Sequence, residues 1–244
     1  MDTHSMKHRI EQVNQKINRA CKSVHRNPED VTLLLATKTV PPEKIASAVA
    51  AGSTLLGENK VQELREKHDY VENDLAEWHF IGHLQTNKIN NVLPYVTCIQ
   101  SVDRLKLAQK LHNRLAHNNQ TLDILIQVNT SYEASKFGAD PDQLLDLIEQ
   151  LTHFNTLQIK GLMTIGKLSG DPHETRKCFR LLKSLQQKVQ EQHFKGVEMD
   201  TLSMGMSNDF ETAIEEGATM VRVGTAIFGE REYPDSYYWN ESKE

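Results

Sequence analysis

The chain has 244 residues, a length that suits one large α/β domain or two small ones. A chain of this size buries most of the surface its unfolded form exposes, so neither disulfides nor a structural metal is needed to hold it. With 28 Lys and Arg against 33 Asp and Glu the net charge is −5, and no basic block stands out, which argues against nucleic acid or an anionic membrane as a main partner.

The first ten residues are polar and lack the apolar core of a leader, and no stretch approaches the roughly 18 apolar residues of a membrane span. Cys21, Cys98 and Cys178 are too far apart in sequence for a metal knuckle or a disulfide framework. The expectation is a cytoplasmic protein without a metal.

In chain order, Ile10, Val13, Ile17, Ala20, Cys21 and Val24 recur at three- and four-residue spacing and predict a helix over Thr3–His25, ended by Asn27-Pro28. Beyond it, short β-branched runs alternate with longer helical patterns. Strands are expected at Val31–Thr37, Thr54–Gly57, Trp78–Ile81, Cys98–Val102, Leu122–Val128, Ile159–Ile165, Thr201–Met204 and Met220–Val223. Helices are expected at Pro42–Ala51, Lys60–His68, Asn87–Leu93, Asp103–His117, Pro141–Leu151, His173–Gln192 and Asp209–Glu216. Eight such units predict a single (β/α)8 barrel with an extra N-terminal helix, one domain over 1–244; an open doubly wound sheet is the alternative. The segment 1–27 carries the extra helix, and 230–244 reads as an irregular tail with Tyr233, Tyr237, Tyr238 and Trp239.

Barrel sites form where the loops after the strands converge. Lys38 closes the run Leu33 to Thr37, and alternation puts it on one face with Leu34 and Ala36. Pointing inward, its amine is pushed toward the neutral form that condenses with an aldehyde; pointing outward, it is a lysine reaching for water. Ser203 to Asp209 and Met220 to Ala226 are glycine-containing turns after the last two strands, where barrels often hold phosphate. Ser207 and Thr225 add hydroxyls there, and Asn208 with Glu211 has the spacing of a capping box. Arg222 shares a face with Gly224; it either meets a ring nitrogen of a ligand or pairs with a carboxylate such as Glu58. His79 and His83 read as hydrogen-bonded or solvated rather than as metal ligands. Glu133, Ser135 and Lys136 form a polar loop after the fifth strand.

Taken together, Ala36-Thr37-Lys38-Thr39, Gly57-Glu58-Asn59, Trp78-His79-Phe80-Ile81-Gly82, Leu84 to Lys88, Ser101 to Arg104, Gln127-Val128-Asn129, Glu133 to Lys136, Gly161-Leu162-Met163, Leu202 to Ser207 and Met220 to Gly229 follow a known order. That ordered set resembles the pyridoxal phosphate homeostasis proteins, with a barrel of the alanine racemase N-terminal type, and spans nearly the whole chain. The resemblance implies pyridoxal 5'-phosphate held as a Schiff base on Lys38. It also implies phosphate contacts from Ser207, Gly224 and Thr225, Arg222 near the pyridine nitrogen, and Asn59 close to the ring. Lys136 would lie near the mouth as an alternative or transient cofactor site. Two positions depart from the family pattern: Lys60, where an aromatic often follows Gly-Glu-Asn, and His83, where proline often follows Ile-Gly.

The function so implied is intracellular cofactor homeostasis: sequestering a reactive aldehyde, buffering it and passing it to apo-enzymes that need it, without turnover; separately, the acidic chain is expected to be a monomer. The alternative is an amino-acid racemase or decarboxylase of the same barrel type. Against it stands the length: about fifteen residues follow the last strand region, too few for the β-domain such enzymes add.

Overall fold

The computed structural model describes residues 3–71, 75–167 and 171–230. Eight parallel strands close into a barrel in sequence order: β1 (Thr32–Ala36), β2 (Leu55–Glu58), β3 (Glu77–Phe80), β4 (Cys98–Val102), β5 (Leu122–Gln127), β6 (Leu157–Met163), β7 (Val197–Ser203) and β8 (Met220–Val223). Register pairs Leu35 of β1 with Leu56 on one side and Val223 on the other, so the first and last strands are neighbours. The helices are α1 (Thr3–Ser23), α2 (Pro42–Ala50), α3 (Val61–Tyr70), α4 (Ile89–Val92), α5 (Leu105–His117), α6 (Leu144–Leu151), α7 (Pro172–Gln192), α8 (Phe210–Glu215) and α9 (Thr225–Phe228).

The strands are covered on both faces, which is why they read as nearly continuous apolar runs. Leu35, Leu56, Phe80, Ile99, Ile124, Leu162, Leu202 and Val221 belong to the main apolar core that the helices help to build. Cys98, Leu125 and Met163, with Ile165 against them, form a separate, smaller cluster. Hydrogen bonds between side chains of non-adjacent strands, such as Ser203 on β7 to Gln100 on β4, can only cross the lumen, so polar side chains share the inner face with that cluster.

Helix α1 buries Met6, Ile10, Val13, Ile17, Ala20 and Cys21 against α8, α9 and α2. Val24 lies past the helix end and is half-buried, because His25 turns left-handed (φ 55°) and Asn27 caps a 3₁₀ turn over Pro28–Asp30. Two arginines of this region tie down the closing units of the barrel. Arg9 Nη1 donates to the Ile227 carbonyl (3.2 Å), and Arg26 donates to the carbonyls of Ile214 (2.7 Å) and Ala218 (2.8 Å).

Strand β7 begins at Val197 rather than at the expected Thr201. Its first residues carry the exposed acids Glu198 and Asp200, and Glu198 pairs with Lys160 of β6 at 2.9 Å; charge on the outer edge disguised the strand as loop. The expected Asn87–Leu93 helix is broken into α4 between two 3₁₀ turns, and the turn after β8 is the short helix α9. Beyond Glu230, the expected irregular tail lies outside the described residues.

Candidate functional site

The turn after β1 carries Lys38, half-buried, between Thr37 and Thr39. Thr39 has φ 64°, a left-handed conformation unusual for a β-branched residue, so the turn needs outside support. That support is a buried ionic cluster. Lys67 Nζ, on α3, donates to the Thr37 carbonyl (2.8 Å), to Glu58 Oε2 (2.5 Å) and to Glu63 Oε2 (2.6 Å). Thr37 Oγ1 donates to Glu58 Oε2 (2.9 Å), and the Thr39 N–H donates to Glu63 Oε2 (2.9 Å). Glu58 Oε1 in turn accepts from the N–H groups of Asn59 (2.7 Å) and Lys60 (3.2 Å). Lys67 is 4% exposed and Glu58 is fully buried. Burial pushes the Glu63 carboxyl up, but the Lys67 ammonium and the Thr39 N–H outweigh it and hold the group below its usual range.

Across the β1–β8 seam lies the second half of the site. Gly224 follows β8 beside Ala36, and a Cβ there would stand 2.9 Å from the Ala36 carbonyl oxygen; only glycine lets the two backbones approach this closely. The N–H groups of Gly224 and Ala226 both point at one oxygen, Ser207 Oγ, at 3.2 and 3.3 Å. Ser207 lies in the loop after β7 and Thr225 opens α9. The Asn208–Glu211 capping box does not form. Asp209 is the residue at the start of α8, and its carboxylate reaches back to the Met206 N–H (2.5 Å), which closes the loop around Gly205 (φ 91°) instead.

Arg222 points into the lumen and is 4% exposed. Its Nη1 donates to Ser203 Oγ (2.7 Å) and its Nη2 to the Thr164 carbonyl (2.8 Å). The alternative pairing with Glu58 is not made, since that carboxylate belongs to Lys67, Thr37 and the backbone of the next turn. Burial lowers the Arg222 guanidinium to about 10, with Asp209 pulling the other way, so the group is charged at neutral pH.

Asn59, after β2, is 8% exposed, and its Oδ1 is buried with no hydrogen-bond partner among the described residues. Gly82 presses on it from the loop after β3, where a Cβ would fall 2.1 Å from the Asn59 carbonyl oxygen. His83 stacks on Phe137, with ring centroids 3.7 Å apart and planes 14° from parallel, so the departure from proline has become part of an aromatic contact between two loops. Lys60 faces Glu63 at 3.9 Å. Lys136 donates to the Gly166 carbonyl (2.7 Å) and pairs with Glu133 (2.5 Å). His79 is buried and hydrogen-bonded.

Lys38, Asn59, Ser207, Arg222, Gly224 and Thr225 thus come from, or directly after, four consecutive strands, β7, β8, β1 and β2, on one arc of the barrel's carboxyl end. Lys136 belongs to the loop after β5, outside that arc. Sequence reasoning missed Lys67, Ser203 and Gln100. The Glu63–Lys67 spacing was visible, but an i,i+4 pair on a helix ordinarily lies in solvent. Among the described residues no helix is long and apolar enough to cross a membrane, and no group of three or more acids, histidines or cysteines is spaced to hold a metal ion.

The arc can be tested against a phosphorylated aromatic aldehyde. An anion would replace Ser207 Oγ as acceptor for two convergent N–H groups, the orphan Asn59 Oδ1 awaits a donor, and Arg222 spends two of its five N–H donors on the barrel. The residues fit such a group. Comparison with known proteins agrees. Residues 2–232 match the family described as alanine racemase, N-terminal domain. A relative from Aquifex aeolicus named pyridoxal phosphate homeostasis protein is 42% identical over 92% of this chain and 98% of its own. PipY of Synechococcus elongatus, solved with PLP bound, has a TM-score of 0.77 at 33% identity, covering 87% of this chain and all of that one. An alanine racemase from Clostridium difficile has a TM-score of 0.71 at 15% identity, over 92% of this chain and 57% of the enzyme, a likeness of fold alone.

Proposed function

This chain belongs to the family of pyridoxal phosphate homeostasis proteins, and on that premise we propose that it binds pyridoxal 5'-phosphate at the β7–β8–β1–β2 arc and buffers its free concentration. The single observation that carries the reading is the β1–β8 seam. It sets the backbone of Ala36, two residues before Lys38, against Gly224, whose N–H converges with that of Ala226 on one oxygen.

The cofactor's aldehyde supplies a carbon with which an amine condenses reversibly. Everything else falls to the chain. Lys38 offers the amine. The backbone of Gly224, the hydroxyls of Ser207 and Thr225 and the neighbouring Ala226 N–H hold the phosphate. Arg222 would face the ring nitrogen, and Asn59 would lie close to the ring. An arginine at that nitrogen would leave it mostly unprotonated and weaken the electron sink of carbanion chemistry, though racemases of this barrel type use an arginine there too. Holding and release, rather than turnover, is the reading that the homeostasis names of the relatives support. Cys21, Cys98 and Cys178 are all buried and unbonded, in keeping with a reducing compartment such as the cytosol, where apo-enzymes would draw on the store.

Borohydride reduction after incubation with pyridoxal phosphate, followed by peptide mapping, tests this. The label is expected on the peptide containing Lys38. A label mainly on Lys136 would overturn the site, and no visible absorption band and no label would overturn the binding itself.

A further inference from the structure

Beneath Arg222 a chain of side chains crosses the whole barrel. Arg222 Nη1 donates to Ser203 Oγ (2.7 Å), and Ser203 Oγ donates to Gln100 Oε1 (2.7 Å). Gln100 Nε2 contacts His79 Nδ1 (2.8 Å), and His79 Nε2 contacts Glu77 Oε1 (3.2 Å), which also accepts from Thr97 Oγ1 (2.9 Å). Gln100 and Ser203 are fully buried and His79 is 7% exposed, whereas Glu77 is exposed. The chain therefore runs from the cofactor end of the lumen to water at its foot.

Its direction follows from its ends. A guanidinium can only donate and a carboxylate can only accept. Ser203 Oγ accepts a hydrogen bond from Arg222, so its own O–H donates to Gln100. The atom of Gln100 that accepts it must be the oxygen, which leaves the amide nitrogen toward His79. Met220 Sδ, a weak acceptor, lies 3.2 Å from that same nitrogen and suits the same orientation. A nitrogen that donates demands a bare His79 Nδ1, so the ring's proton sits on Nε2 and points at Glu77. Glu77 answers as expected: the hydrogen bond from His79 holds its carboxyl below the usual range.

We propose that Gln100 and His79 are positioning residues for Arg222. Neither touches the ligand. They fix the Ser203 hydroxyl as an acceptor, and through it the plane in which the guanidinium presents its remaining N–H groups to the ring nitrogen. The proposal rests on the cofactor reading for its consequence, though the chain itself is a property of the ligand-free protein. Charged groups facing the His79 ring are Glu77 on its own strand and Asp123 on β5.

The test uses the full chain with histidine ring nitrogens observed by 15N NMR, and pyridoxal phosphate titrated by absorbance. In the ligand-free protein His79 should show an unprotonated Nδ1 and a protonated Nε2. Gln100→Leu removes the acceptor of Ser203 and should weaken pyridoxal phosphate binding roughly tenfold while borohydride still labels Lys38. Gln100→Glu restores an acceptor for Ser203 and should bring affinity back to within about threefold, while its second oxygen turns His79 Nδ1 into a donor, visible as a change of that 15N signal. A wild-type His79 protonated on Nδ1 would overturn the proposal, as would a Gln100→Leu protein, folded by its NMR spectrum, whose affinity is unchanged. Should Gln100→Leu fail to fold, a Gln100→Glu protein with the His79 signal unmoved would overturn it equally. If the wild type takes up no pyridoxal phosphate, the functional reading fails, and the tautomer still decides the relay.

Discussion

Lys67 Nζ lies 2.8 Å from the carbonyl oxygen of Thr37, so an ammonium on α3 reaches under the turn that carries Lys38. The same ammonium pairs with Glu58 and Glu63, which between them accept hydrogen bonds from the backbone of the turns after β1 and β2. Removing one partner of a buried pair leaves the other charge uncompensated, whereas removing both costs far less. Lys67→Met should therefore destabilise the fold by about 3 kcal/mol in urea denaturation, and Lys67→Met with Glu58→Gln should recover at least half of that. If the double variant is as unstable as the single one, the ammonium supports the turn through Thr37 and Glu63 rather than through Glu58.

The acid side of the stability profile should carry the signature of Glu63. Its folded carboxyl titrates below the ordinary value of 4.5, despite burial, because of Lys67 and the Thr39 N–H. Around that ordinary value the unfolded chain thus binds more protons than the folded one. The stabilisation is complete above pH 4.5 and is lost as pH falls through the lower, folded value. Chemical denaturation from pH 6 down to pH 3 should show a shallower fall for Glu63→Gln than for the wild type. Parallel slopes would mean that Glu63 contributes nothing to the pH dependence.

Much of this architecture is legible in the residues. The β/α alternation gives the eight strands, because most strands read as short apolar runs and the helices between them are apolar on one face. Lys38, Arg222 and the two glycine turns stand out because charge and glycine are unusual at the ends of such strands. What pattern cannot give is how side chains from distant strands pair inside a lumen. Arg222 next to an apolar strand left Glu58 and a ligand equally open as partners; the barrel removes the first by giving Glu58 to Lys67 and Arg222 to Ser203 and Thr164. Gln100 and Ser203 lie 103 positions apart, and no local rule relates them. The misplaced start of β7 has a different cause, since Glu198 and Asp200 are strand residues whose side chains face water.

Lys38→Ala should separate attachment from folding. The flanking Thr37 and Thr39 are held by the Lys67 cluster through their backbone, so the turn keeps its supports when the side chain is lost. The variant should lose the visible band and the borohydride label while its Tm stays within about 4 °C of wild type, the shift that roughly 1 kcal/mol produces in a domain of this size. A Tm drop well beyond that would make Lys38 a structural residue.

Arg222→Ala should leave the covalent step intact and shorten retention. The guanidinium touches Ser203 and Thr164 rather than the Lys38 turn, so imine chemistry does not depend on it. Loss of a charged hydrogen bond to the ring corresponds to about 1.5–3 kcal/mol, or roughly 10- to 100-fold in the dissociation rate. Stopped-flow transfer of cofactor to an excess of an aldehyde scavenger measures that rate. An unchanged rate removes Arg222 from the cofactor's surroundings.

Ser207 offers the most selective probe of the anion cradle, because its effect should depend on the phosphate. In the ligand-free chain Ser207 Oγ accepts from Gly224 and Ala226, the two N–H groups assigned to the phosphate. When a phosphate takes that place, the serine turns from acceptor to donor, and Ser207→Ala forfeits that hydrogen bond to a charged oxygen. The variant should bind pyridoxal phosphate roughly tenfold more weakly. Pyridoxal, which lacks the phosphate, should bind it as well as it binds the wild type. Titrations of both aldehydes against both proteins close a thermodynamic cycle, and the coupling reports on the phosphate alone. Equal losses for the two aldehydes would place Ser207 in the framework of the β7 loop and move the phosphate elsewhere on the arc.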